Sequence, residues 1–383
     1  MPSPSRIVLA PDSFKGSATA RQVAAALRDG ILGVEPAADV RCLPIADGGE
    51  GTLDVALTRG WQGQRAAVAG PWGDPVEAQW AMAPGGDEAL VELAAASGIA
   101  LPVQAHRPTD DATRALAASS RGTGEVIAAA LDAGCRRVVV GVGGSACSDG
   151  GLGMLRALGA VVRDQSGQQV PDGVVGLERA ASVDLAPARE LLTGVELVLA
   201  ADVTNPLVGP QGAAAVYGPQ KGADEDRRPH RDGARPLEGR ADARRHGPCA
   251  RPGAGAAGGV GFALLALGAR RVSGVEHLLD LAGIDSALRD ADLVVTGEGR
   301  LDSQTLHGKA PAGVLGRARA AGVPVVAVCG TSALTPSELR RAGFDRVLAL
   351  TDREPDVARC LADPVPLLRE VGRDLARGCQ GHA

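Results

Sequence analysis

Lysine is nearly missing from this chain of 383 residues: of 40 basic residues, only Lys15, Lys221 and Lys309 are lysine. Asparagine and tyrosine occur once each, at Asn205 and Tyr217, and the remaining aromatics are three Phe and three Trp. So few rings leave little for stacking on bases. Forty basic residues against 45 acidic ones give a net charge of −5 and a pI near 5.8, which argues against a surface built to neutralise phosphate backbones. No apolar run approaches the roughly 18 residues of a membrane-spanning helix. The first residues run straight into the strand-like Ile7-Val8-Leu9-Ala10, without the long apolar stretch of a signal peptide. The seven cysteines form no CxxC pair, and the six histidines show no metal spacing. Walker, HRD, DFG and GxSxG motifs are all lacking. These absences describe a reduced, cytoplasmic protein without a structural zinc site, a membrane anchor or a nucleic-acid partner.

What is present is ordinary globular composition, 45% hydrophobic and 22% charged. At roughly 150 residues per domain, the length suggests two domains or three. Strand and helix signals alternate in the first third and again in the last, the rhythm of a doubly wound parallel sheet. Between them, short strands separated by Gly/Pro turns suggest mixed structure. The expected fold is therefore α/β in two domains. A flavodoxin- or Rossmann-like, mostly parallel sheet is built from both termini (1–74 plus 288–383), and a mixed α/β domain (75–287) is inserted in it. Residues 224–252 stand apart: eight Arg, six acids and four Pro surround a single large apolar residue, Leu237, and no period survives that would bury a face.

The depletion of lysine sharpens the search for a site. Arg replaces Lys wherever a positive stem suffices, so surviving lysines mark places that need a compact, mobile ammonium. All three touch glycine, in Phe14-Lys15-Gly16, Gln220-Lys221-Gly222 and Gly308-Lys309-Ala310. Glycine-rich polar clusters follow apolar strands, where open parallel sheets bind ligands. In Asp12-Ser13-Phe14-Lys15-Gly16-Ser17, a helix start beside Lys15 suits an anion, while Ser17 or Thr19 would serve as a plain cap. Asp47-Gly48-Gly49-Glu50-Gly51 offers two carboxylates, for Mg²⁺ or for accepting a substrate proton. Gly141 to Gly151, with Gly143, Gly144, Ser145 and Asp149, reads as a nest of N–H groups for phosphate. Asp202 and Asn205 suit metal ligation or a hydroxyl, or equally an Asx turn before Pro206. Gly253-Ala254-Gly255-Ala256-Ala257-Gly258 spells GxGxxG but follows no strand, so a dinucleotide fingerprint fails on context while a phosphate-facing turn does not. Glu298, Arg300, Asp302 and Lys309 combine acids and cations after a clear strand. A surface salt-bridge cluster is the alternative there.

Together these stretches resemble the bacterial glycerate kinase family of the glycerate 2-kinase type. The motifs are Ala10-Pro11-Asp12-Ser13-Phe14-Lys15-Gly16, Ala46-Asp47-Gly48-Gly49-Glu50-Gly51-Thr52, Gly143-Gly144-Ser145-Ala146, Asp149-Gly150-Gly151, Asn205-Pro206-Leu207, Gly218-Pro219-Gln220-Lys221-Gly222, Pro252 to Gly259 and Gly297-Glu298-Gly299-Arg300. The resemblance spans nearly the whole chain. It implies ATP-dependent phosphorylation of D-glycerate to 2-phosphoglycerate, and an active site in a cleft between two α/β domains. Phosphoryl transfer needs positioning and charge neutralisation. On that reading the glycine loops cradle phosphates, and Lys15, Arg300 and Lys309 clamp carboxylate or phosphoryl oxygens. Asp202, Glu298 and Asp302 are candidates for Mg²⁺, and Asp47 accepts the hydroxyl proton with Asp202 as the second choice. A kinase giving 3-phosphoglycerate, a nucleotide-dependent oxidoreductase and a non-catalytic sugar-acid binding module are the alternatives.

Cys147-Ser148 departs from the family's usual Thr-Asn, a tolerable change if backbone amides do the binding. The stretch 224–252 departs further, since the family carries an amphipathic helix there. Its excess of Arg, Pro and His fits a compensated shift of reading frame. Resequencing the gene is expected to reveal that shift, and an unchanged frame would dismiss it.

Overall fold

In β1 (Arg6–Pro11) alternate residues enter opposite layers. Ile7 and Leu9 join a core with Leu27, Ile31, Val371 and Leu375, whereas Val8 and Ala10 join one with Val275, Leu279, Val314 and Ala318. A strand buried on both faces reads as an unbroken apolar run and belongs inside a parallel sheet covered by helices. The computed structural model, which describes residues 4–46, 48–49, 51–103, 110–223, 248–306 and 308–380, places it there. Asp47, Glu50 and residues 224–247 of the arginine-rich stretch lie outside the described residues.

The chain divides into two compact units, residues 1–47 with 275–383, and residues 48–274. The first holds β1, β2 (Asp39–Cys42), β11 (Leu293–Leu301), β12 (Val325–Ser332) and β13 (Arg346–Ala349) in a parallel sheet of order β13-β12-β11-β1-β2. Ile7 pairs with Leu293, so the two ends of the chain build one sheet, as the matching rhythms suggested. The second holds β3 (Gln62–Ala69), β4 (Pro75–Met82), β5 (Glu88–Glu92), β6 (Arg137–Gly141), β9 (Glu196–Ala200) and β10 (Arg270–Val272). Their order is β10-β9-β6-β5-β4-β3, parallel from β10 to β5 and antiparallel beyond. A small hairpin of β7 (Val161–Arg163) and β8 (Ser182–Asp184) completes the strands. The expected α/β class with one parallel and one mixed sheet is what the structure has.

The boundary read from the sequence at 74/75 falls inside a hairpin. β3 pairs with β4 along its whole length, from Gln62 opposite Met82 to Ala69 opposite Pro75, and Gly70 N donates to Asp74 O at 2.7 Å across the turn. Residues 62–74 therefore belong to the second sheet. At the other junction, Val275 and Leu279 are core residues of the first unit, so that boundary lies earlier than 287/288.

Helices Ala20–Leu32 and Val365–Gln380 pack closely because each has a glycine at the crossing. A methyl group on Gly30 would sit 2.1 Å from the Arg369 carbonyl oxygen, and one on Gly372 2.3 Å from that of Leu27. Gly316 is the contrast, exposed in helix Ala310–Ala320 with nothing within 4 Å of an added methyl. Urea unfolding of the two single variants should separate them. Gly30→Ala is expected to destabilise by about 1–3 kcal/mol through overpacking, and Gly316→Ala to stabilise by about 0.5–1 kcal/mol through backbone entropy.

Candidate active site

Many of the described candidate residues sit at the carboxyl ends of parallel strands in both sheets. In the first unit, β1 ends in a turn closed on itself: Phe14 N donates to Ala18 O at 2.8 Å, and Ser17 N to Phe14 O at 2.8 Å. Buried Phe14 anchors the turn and leaves Lys15 exposed. Thr19, not Ser17, caps the following helix, in a capping box with Gln22. Ser13 N donates to Asp12 Oδ1 at 2.6 Å, and Asp12 N to Gly297 O at 2.8 Å, which ties the turn to β11. β11 then passes under the same turn, where a methyl on Gly299 would meet Phe14 Cα at 3.2 Å. Beyond it lies exposed Arg300, opposite Thr331 of β12. Glu298 is only 7% exposed; its Oε1 accepts from Thr305 Oγ1 at 2.6 Å and its Oε2 from Lys309 Nζ at 3.3 Å. Lys15, Arg300 and the Glu298–Lys309 pair thus belong to one end of one sheet.

In the second unit the loop after β6 is the centre. Gly143 N donates to Gly48 O at 3.4 Å, and a methyl on Gly143 would lie 2.5 Å from Gly49 Cα, so the Gly48–Gly49 turn is pressed onto this loop. Gly144 is left-handed (φ 69°) and its carbonyl accepts from Ile99 N at 2.9 Å. Lys221 Nζ donates to Ser145 Oγ at 2.8 Å and to the Cys147 carbonyl at 2.6 Å. Burial pulls the Lys221 ammonium below its ordinary pKa and pushes the Cys147 thiol up to about 12, which leaves that sulfur a poor nucleophile. The GxGxxG stretch packs against the same loop: Gly150 N donates to Gly258 O at 3.0 Å, and a methyl on Gly258 would strike the Cys147 carbonyl oxygen at 2.2 Å. Gly255 N donates to Asn205 O at 2.9 Å. This stretch follows the 3-10 turn Pro248–Ala250 rather than a strand, so the dinucleotide reading is excluded here as it was by sequence context. A cavity of about 210 Å³ opens beside the loop, walled in part by Trp72, Ile99, Arg114, Ala146, Gln220 and Lys221.

Several residues that the sequence offers as ligand contacts have protein partners instead. Ser17 Oγ donates to the Leu361 carbonyl at 2.7 Å. Asn205 Nδ2 donates to Gln211 O at 2.9 Å while its Oδ1 accepts from Tyr217 OH at 2.8 Å. Asp149 has no exposed surface and accepts from Ser120 N, Ser120 Oγ, Gly151 N and Gly153 N at 2.9–3.1 Å. Burial raises its pKa, against these donors, which favour the ionised form. As metal candidates, Glu298 is committed to Thr305 and Lys309, and Asp302 Oδ1 accepts from the N–H groups of Gln304 and Thr305 at 2.9 and 3.3 Å. Asp202, past the end of β9, accepts from Ser273 Oγ at 2.6 Å through Oδ1. Among the described residues no group of three or more His, Cys, Asp or Glu is arranged to hold a metal alone.

A model of the glycerate kinase family matches residues 7–380. The chain belongs to the glycerate kinase family. A glycerate kinase of Bacillus subtilis (strain 168) is 41% identical over 377 residues, 97% of each chain. A glycerate 2-kinase of Escherichia coli (strain K12) is 40% identical over 351 residues, 90% of each chain. The crystal structure of a Salmonella typhimurium LT2 protein assigned as glycerate kinase 2 superposes with a TM-score of 0.79 at 37% identity, covering 99% of both chains. The fold and enzyme class implied by the sequence motifs are therefore those of glycerate kinases.

Three supporting residues of this glycerate kinase fold were invisible as site residues in the sequence. Glu92 ends β5 and accepts from Leu53 N at 2.6 Å, Ser120 holds Asp149, and Thr305 fixes Glu298. Glu92 alone had a signal, as a carboxylate closing an apolar strand, but no glycine or cation stands beside it. Asp149→Asn is expected to destabilise by roughly 2–4 kcal/mol, because the amide turns N–H donors toward groups that are donors themselves. Chemical denaturation of the variant measures it.

Proposed function

We propose that this chain transfers the γ-phosphoryl group of Mg·ATP to the 2-hydroxyl of D-glycerate. One observation carries the reading: Lys15, Arg300 and the Glu298–Lys309 pair occupy one sheet end, in a chain whose near-full-length relatives are named glycerate kinases. Lys15 and Arg300 suit the glycerate carboxylate, with the fork of Arg300 matching its two oxygens. Lys309, steadied by Glu298, suits a phosphoryl oxygen. The Gly143–Gly151 loop offers backbone N–H groups to the nucleotide phosphates. Asp47 takes the hydroxyl proton as the new O–P bond forms and the bond to ADP breaks.

Magnesium bound with ATP would neutralise phosphate charge in transfer. It asks for one or two carboxylates, not a protein cage, and Asp202, which accepts from Ser273 Oγ through Oδ1, would hold it. Glu298 and Asp302 fit positioning better, given their partners. A cytoplasmic setting agrees with the free thiols of the six described cysteines, and among the described residues no helix is long and apolar enough to cross a membrane.

The assay is incubation with ATP, Mg²⁺ and D-glycerate, followed by ³¹P NMR. It should yield ADP and 2-phosphoglycerate, and a chelator should stop turnover. 3-Phosphoglycerate would reassign the acceptor hydroxyl. Glycerate binding without ADP would leave only a binding module, and NAD(H) affinity without ATP turnover an oxidoreductase. With Asp47→Asn, kcat should fall about 10²-fold or more, and a near-normal kcat would remove Asp47 from the role of base.

A further inference from the structure

Among the described residues, Lys221 carries a charge that no ion pair balances. It ends the 3-10 turn Pro219–Lys221, is 9% exposed, and both acceptors on its ammonium, Ser145 Oγ and the Cys147 carbonyl, are neutral. No ion pair of the described residues includes it. Asp149, whose field reaches it, gives its oxygens to Ser120, Gly151 and Gly153. Burying an ammonium without an ion pair is costly, so a site that keeps one usually gains something from its charge.

The hydrogen-bond inventory says what that gain is. An ammonium has three donors and no acceptor, so two bonds leave one N–H to place. Since the ammonium only donates, Ser145 Oγ accepts from it, and the Ser145 hydroxyl proton must be given to some other acceptor. Lys221 also walls the cavity of about 210 Å³, next to Ala146. The outcome is a pair of donors, one charged, joined at the glycine loop: Lys221 walls the cavity and Ser145, half-buried, adjoins its wall residue Ala146 in the chain.

We propose that Lys221 and Ser145 form an anion-binding pair whose counter-ion is supplied by the substrate's phosphate oxygens, so that ligand occupancy, not the fold, neutralises Lys221. Naming the anion as nucleotide polyphosphate rests on the kinase reading; the glycerate carboxylate offers the same chemistry, and the experiment separates the two.

The full-length protein, Lys221→Met and Ser145→Ala are compared by thermal melting and by calorimetric titration with ATP, inorganic pyrophosphate and D-glycerate. Lys221→Met replaces the buried ammonium by an apolar chain of similar length. It should melt no lower than the parent without ligand, yet bind ATP and pyrophosphate at least about tenfold more weakly, the loss of one charged hydrogen bond. Ser145→Ala, the gentler variant, should weaken both in the same direction if Lys221→Met does not fold. Glycerate affinity should be unchanged. A Lys221→Met protein that melts well below the parent but binds both anions with parental affinity would make Lys221 a structural clamp and overturn the proposal. Weakened glycerate binding with pyrophosphate untouched would overturn the phosphate assignment. Pyrophosphate binding that depends on Lys221 in a protein without ATP turnover would uphold the pair and sink the kinase reading. Normal turnover with Lys221-independent affinity would do the reverse.

Discussion

Main-chain atoms touching main-chain atoms set the positions of every loop that carries chemistry here. Gly143 lies on Gly49 and Gly258 on the Cys147 carbonyl, each at a distance that a side chain would forbid, and Gly299 lies on Phe14 so closely that a side chain would push it aside. Such contact fixes a loop more firmly than a surface ion pair could, because backbone has few ways to yield and a surface pair contributes little. Ser145, Lys221 and Arg300 inherit their places from it. A phosphoryl-transfer enzyme depends on placing charges more than on reactive side chains, so this constraint and the function belong together.

Polar residues divide their labour around these loops. Asp149 and Glu298 are buried and accept from N–H and O–H donors, and half-buried Asp302 accepts from N–H groups of its own turn, while Lys15 and Arg300 are exposed. The buried carboxylates satisfy the loops' own donors, which would otherwise be stranded away from water.

How much of this could be read from the sequence follows from the range of each interaction. Strands such as Val138-Val139-Val140 announce themselves through their own composition, and the motifs at Lys15 and Gly143 through glycine beside a cation. The sequence boundary at 74/75 splits the β3–β4 pair because Gln62–Ala69 carries few large apolar residues, and its place is decided by pairing with residues 75–82. Asp149 and Asn205 looked like ligand contacts because sequence shows that a carboxylate or amide is near glycine, but not that Ser120 or Tyr217 reaches it from 12 to 29 residues away. Glu92 and Thr305 escaped notice for the same reason.

The pairing of β1 with β11 has a consequence for synthesis. During translation β1 emerges early, with both faces apolar; β2 follows within about 40 residues, but the partner on its other edge, β11, follows 286 residues later. The insertion from 48 to 274 is contiguous and can fold on the ribosome in the interval, whereas the first sheet must wait for the last hundred or so residues. Long-range parallel pairing of this kind is slow to form. The nascent chain therefore holds a sticky strand with one edge open and its covering helix Val365–Gln380 not yet made, and that interval is when it is most exposed to aggregation and most in need of a chaperone.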